Sequence, residues 1–250
     1  MPPPAASSAL HLRQLAWALS LLAVAPTLSH TQELPACDQR YDIEASLDAE
    51  RHVLTGRERI HVTNHASKPL VALLFHLYPN AFRDRNSVFM REGGRRLRSG
   101  TLGRPGRVAV SALRGSDGRE LLAAADRELI PGDFTQLRVN LATPLQPGAA
   151  MDLELTFRNE LPEIVARSGY VGEFHMLGQW FPKLARLEPN GEFASFPYHG
   201  LGEFYADFSD YDFAITVPKA YQIAASGVRV SSALRGAQRT DRFVAKHVHD

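Results

Sequence analysis

Tyr41, Ile43, Ala45 and Leu47 alternate one for one with Asp42, Glu44, Ser46 and Asp48. Successive residues of an extended chain point to opposite sides, so this period of two builds a strand with one apolar and one wet face. The pattern is decisive because it recurs. Leu54 to Asn64 alternates again, and the short connection Asp48 to His52 predicts an antiparallel hairpin between the two runs. Leu70 to Leu77 is almost continuously apolar and reads as a strand buried on both faces. Further strands are predicted at Arg107 to Leu113, Phe134 to Leu141, Met151 to Phe157, Tyr211 to Val217, Gln222 to Gly227 and Arg242 to His247. Pro144-Leu145-Gln146-Pro147-Gly148 supplies a turn between two of them. Asp84 to Pro105 has no sustained period and predicts a long excursion, with a short helix near Ser87 to Met90. After the first thirty residues, no amphipathic helical pattern extends beyond about ten residues. The fold class is therefore all-β: a β-sandwich or an open, saddle-like domain of mostly antiparallel strands.

The N-terminus follows a different logic. His11 and Arg13 precede an apolar run of 11 residues, Leu15 to Ala25, which Pro26 breaks before small residues at Thr27 and Ser29. A bilayer span needs about 20 residues, so this is the layout of a secretory signal peptide, and export to the periplasm or exterior is expected. The organisation is then a signal peptide over 1–29, a linker over 30–39 and one β-domain over 40–250. Cys37 is the one cysteine, so no disulfide can form within the chain. Leu34-Pro35-Ala36-Cys37 faintly echoes a bacterial lipoprotein cleavage site, but a stretch containing charged Glu33 separates it from the apolar run. A free thiol, or a disulfide to a cysteine outside this sequence, is the alternative.

Charge excludes some partners. The sequence holds 28 basic and 27 acidic residues, a net charge of +1. No polybasic run favours nucleic acid or an anionic membrane surface. The Arg91 to Arg107 segment is interleaved with Gly and Ser and reads as a solvated loop.

No complete catalytic set is visible. The ten histidines include no His-Glu-x-x-His, and there is no Cys-x-x-Cys, nucleophile elbow or phosphate-binding glycine loop. His247 and His249 could share one strand face, but two ligands without a third make a weak metal site. His61 and His65 are not expected to converge, and His76 reads as a satisfied core residue. No catalytic residue, metal ligand or cofactor is assigned to this chain.

Tyr170 to Tyr211 interleaves aromatics with Gly, His and Glu as nowhere else. Such a stretch either lines a site or interdomain contact, or forms a loop-rich layer of core. Within it, Gly178-Gln179-Trp180-Phe181-Pro182-Lys183-Leu184 and Glu203-Phe204-Tyr205-Ala206-Asp207-Phe208-Ser209-Asp210-Tyr211, running on to Pro218, closely resemble bacterial members of the aminopeptidase N family. These are zinc metallopeptidases of the gluzincin group. Tyr41-Asp42-Ile43 and Leu54-Thr55-Gly56 resemble the family's opening hairpin.

The resemblance implies a β-saddle N-terminal domain that docks on its own catalytic domain. That domain would carry His-Glu-x-x-His and the zinc, and would begin beyond Asp250. It also implies a peptide substrate held by its free N-terminus. The family places a Gln or Glu nine positions before the Pro of Phe-Pro, where it helps hold the α-amino group. That position is Glu173 here. From the residues alone Glu173 is equally a solvated loop carboxylate, and an alignment gap would shift the role to His175. A chain of this kind should hydrolyse nothing by itself. The alternatives are a non-catalytic secreted β-sandwich for binding or adhesion, and a peptidase-like scaffold that lost its zinc motif.

Overall fold

The structure, a computed structural model, describes residues 37–93, 103–163, 167–202 and 204–249. The expected signal peptide, most of the linker and much of the Arg-rich segment lie outside the described residues. Strands β1 (Gln39–Asp48), β2 (Val53–Thr63) and β3 (Leu70–His76) come first. A 3-10 turn at Tyr78–Phe82 and helix α1 (Val88–Glu92) follow. Next are β4 (Arg107–Gly115), a short turn at Leu122–Ala124, β5 (Ala125–Asp126), β6 (Gln136–Leu145) and β7 (Ala150–Glu160). The chain continues with β8 (Ser168–Val171), β9 (Phe174–Leu177), β10 (Lys183–Leu184), β11 (Ser209–Pro218), β12 (Val228–Arg235) and β13 (Gln238–Val248). Among the described residues no helix is long and apolar enough to cross a membrane.

The domain is all-β, as the alternation predicts. A seven-stranded sheet runs β12-β13-β11-β1-β2-β7-β4, and a four-stranded sheet runs β10-β3-β6-β5. Hairpin β8–β9 stands apart from both. Among the described residues the strand pairs are antiparallel except β1 with β11, which is parallel from Gln39↔Ser209 to Ser46↔Thr216; an isolated parallel bridge also joins Glu163 to Tyr170. The predicted β1–β2 hairpin is present, with Asp48 opposite Val53. Along β1 the odd positions Gln39 to Leu47 are buried and the even ones face water, apart from half-buried Ser46. Ile43, Ile60 and Leu155 of the large sheet and Leu73, Phe75 and Val139 of the small one share a single core. Each such side chain contributes about 1.5–3 kcal/mol by leaving water.

α1 begins one residue after its predicted start. Ser87 caps it, with Oγ accepting the Met90 N–H at 3.2 Å. One predicted strand is corrected: Gln222 to Gly227 is irregular, and the strand starts at Val228. Gly227 sits at φ 88, and a Cβ there would lie 2.5 Å from the Val244 carbonyl oxygen, so the chain turns at this glycine before pairing with β13. The burial expected of β3 on both faces also fails at its start, where Val71 is exposed.

The seven-stranded sheet's outer face forms an open concavity of about 720 Å³ lined by Arg40, Asp42, Arg59, Asp152 and Glu154 among others. Several of its charges are paired: Arg59 meets Glu154 at 3.3 Å, Arg114 meets Glu120 at 3.4 Å, and Asp212 accepts from neighbouring Arg242 at 2.6 Å. Self-paired surface charges of this kind leave little to attract a charged ligand.

Buried polar groups join the two sheets. The Tyr41 hydroxyl donates to Gln39 Oε1 at 3.1 Å and accepts the Leu184 N–H at 3.0 Å. Tyr41→Phe strands the second group, so it should cost about 1–3 kcal/mol in denaturant unfolding. A loss under about 0.5 kcal/mol, the usual noise of a neutral substitution, would contradict this role for the hydroxyl.

Candidate functional site

The aromatic stretch divides into core and surface. Trp180 and Phe181 close the main core: Trp180 lies 6.0 Å from the Phe157 ring, and Phe181 lies 5.8 Å from Tyr41 and 5.9 Å from Tyr211. Tyr198 and Phe204 complete a second cluster around Tyr78, Phe82 and Phe89. Asp207 accepts the Leu187 N–H at 2.9 Å. Most of the motif residues that can be placed therefore serve packing.

Hairpin β8–β9 is the exception. Its two-residue turn is Gly172-Glu173, with Gly172 at φ 56, a conformation glycine adopts without strain. Glu173 is exposed at the tip. Around it Val171, Phe174 (64% exposed) and Met176 also face water. Three large apolar side chains beside a carboxylate form an uncovered patch of the kind that marks an interaction surface.

The hairpin is anchored by histidines. His175 Nδ1 donates to the Glu173 carbonyl at 3.0 Å, which leaves Nε2 as the acceptor of the neutral ring. His52 Nδ1 lies 3.0 Å from that Nε2 and must be the donor. His52, at φ 56 in the β1–β2 turn, stacks on Tyr170 with centroids 3.5 Å apart. Burial holds both imidazoles below their ordinary pKa; Arg104 adds to this at His52, and His52 itself adds to it at His175. Tyr221 lies 5.7 Å from His175, and its hydroxyl pKa is raised by burial and by the Glu173 charge. His175 is thus engaged, whereas the Glu173 carboxylate projects.

His61 and His65 do not converge, as expected. His65 binds Asp38 at 3.1 Å while His61 faces Asp152. His76 is fully buried, donates from Nε2 to the Tyr205 carbonyl at 3.0 Å and stacks on Tyr78. His249 lies against Phe208, with ring centroids 4.9 Å apart.

His247 has company the sequence does not reveal. Cys37, Asp210 and His247 bring one donor atom each to within 4.8 Å of one another. Cys37 Sγ lies 3.2 Å from His247 Nδ1, and the His247 N–H donates to Asp210 Oδ1 at 2.9 Å. Desolvation and the Asp210 carboxylate push the Cys37 thiol up to about 11. Desolvation opposes the Asp210 charge, but hydrogen bonds from His247 and Cys37 outweigh it and hold that pKa low.

No known family profile and no curated protein matches this chain. Among solved structures it is similar to an M1 zinc metallopeptidase from Deinococcus radiodurans, with 20% identity over 82% of this chain and a TM-score of 0.48. A mutant of that metallopeptidase bound to a Tyr-Ser-Ala substrate is similar at 19% identity over 83% of this chain, with a TM-score of 0.47. The chain spans 38–39% of the length of those structures.

Proposed function

We propose that this chain is the N-terminal β-domain of an exported, zinc-dependent aminopeptidase. It docks a catalytic domain and presents Glu173 to the free amino group of a peptide. The observation that carries this reading is the hairpin tip, where an exposed carboxylate stands among exposed Val171, Phe174 and Met176. A domain seated on these apolar residues would remove them from water and close a cleft beside Glu173. In that drier setting the carboxylate pairs with the substrate ammonium, fixes the register of the chain end and rejects blocked N-termini. The zinc, held by residues of the catalytic domain, would supply an activated water for attack on the first peptide bond. The His52–His175 pair holds the hairpin one pair in from its tip, next to Val171 and Phe174.

The test uses the intact gene product with an aminoacyl-anilide substrate. Glu173→Ala should lower kcat/KM about 10–100-fold, the worth of one charge-assisted hydrogen bond, with an unchanged melting temperature. An unchanged kcat/KM removes Glu173 from substrate binding. A gene product that encodes no His-Glu-x-x-His and hydrolyses no peptide rejects the peptidase reading and leaves the binding or adhesion module.

A further inference from the structure

We propose that Cys37, Asp210 and His247 form a site for one divalent cation of the zinc type, with water as its fourth ligand. The site does not depend on the peptidase reading. Thiolate, imidazole and carboxylate together are a donor set that suits a borderline cation and not calcium or magnesium. A tetrahedron with bonds of about 2.0–2.3 Å places neighbouring ligand atoms roughly 3.3–3.8 Å apart. The Sγ to Nδ1 separation of 3.2 Å and the 4.8 Å limit on the whole trio lie within small side-chain adjustments of that.

The backbone is shaped to make this meeting. β1 lies beside β11 and β11 beside β13, so the start of the domain and the end of its last strand converge at one end of the sheet. The β11–β13 register shifts between Ser209 and Tyr211, where Asp210 faces a bulge formed by Lys246 and His247. His247 sits at φ 53, an uncommon conformation for a residue with a side chain. Its N–H is held there by Asp210. A bulge re-aims a side chain, and here it turns the imidazole onto Cys37 instead of leaving it in the ladder. All three side chains are half-buried, dry enough to favour a bound ion and open enough to admit one. On binding, the thiol proton passes to solvent and the sulfur coordinates as thiolate. The ion then ties β11 and β13 to the segment that enters β1.

The experiment titrates Co²⁺ into the whole chain, reduced and metal-free. One Co²⁺ per chain should bind, with a thiolate-to-cobalt charge-transfer band, release of one proton and a higher melting temperature; Zn²⁺ should abolish the band. Cys37→Ser should eliminate it. Asp210→Asn and His247→Ala should each weaken binding at least 10-fold, and His249→Ala should not. If a variant fails to fold, Zn²⁺ should still slow alkylation of Cys37 in the parent at least 10-fold. Absence of the band, binding that survives Cys37→Ser, alkylation indifferent to Zn²⁺, or Cys37 isolated as a lipid adduct or disulfide would each overturn the proposal.

Discussion

Replacing Glu58 with glutamine makes the domain more stable than the parent, by a margin that widens as pH rises. Glu58 lies on β2 with 2% of its surface exposed, and neither carboxylate oxygen has a hydrogen-bond partner. Its strand neighbours are Ile43 and Leu155. Desolvation pushes its pKa well above the usual carboxylate value, which favours the neutral acid in the folded domain. The sign follows from proton counting. Below about pH 4.5 the acid is protonated in both states and costs nothing through ionisation. Above that, the unfolded chain gives up its proton while the folded one keeps it. Stability then falls by about 1.4 kcal/mol per pH unit until the folded pKa is reached. For a domain of this size that is roughly 3–6 °C of melting temperature per unit. Glu58→Gln keeps the shape and loses the titration; Glu58→Met also removes the unsatisfied polar atoms. His52 and His175 act in the opposite direction: their lowered pKa values give stability that is complete above about pH 6.5 and lost on acidification through the folded pKa. Both variants retain those imidazoles, so the difference in melting temperature between parent and variant isolates Glu58. Parallel profiles between pH 5 and 8 would show that Glu58 is ionised and solvated.

Phe157→Ala should cost about 3–5 kcal/mol, a fall of roughly 6–20 °C in melting temperature. The ring is 1% exposed, and its residue pairs with Gly56 on β2 and Val110 on β4. It lies over Gly56, where a Cβ would stand 2.5 Å from ring atom Cζ and 3.1 Å from the Glu44 carbonyl oxygen. Trp180 packs beside the ring and limits its escape. Gly56→Ala alone should therefore cost about 1–3 kcal/mol by overpacking. The two changes together should cost less than their sum, because the added methyl occupies part of the space the ring vacates. Double-mutant melting measures the coupling, expected at about 0.5–3 kcal/mol; strict additivity would mean the contact carries no energy.

Gly56 and Glu58 share the phase of the apolar positions of β2, Leu54, Ile60 and Val62. The β1–β2 hairpin was readable from this alternation. β12 was not, because all eight of its residues are exposed and no inside-outside alternation marks it. The usable cue was the two-residue turn Gly236-Ala237, with Gly236 at φ 60 joining Arg235 to Gln238. Glu173 could be numbered from the resemblance, but its exposure at a hairpin tip follows from β8 and β9, which the aromatic stretch concealed. The Cys37–Asp210–His247 trio was beyond reach. It depends on a parallel register and a bulge, and neither leaves a mark in local periodicity.

That parallel register also governs when the domain can be finished. β1 is made well before one of its two neighbours, β11, which is complete only once residue 218 has been added. β2, β7 and β4 can assemble earlier, leaving β1 as a temporary rim with unpaired backbone groups. At about 5–20 residues per second, the wait for β11 lasts several seconds or longer. Nascent chains stalled before residue 209 should therefore expose an aggregation-prone strand, and release past 218 should silence it.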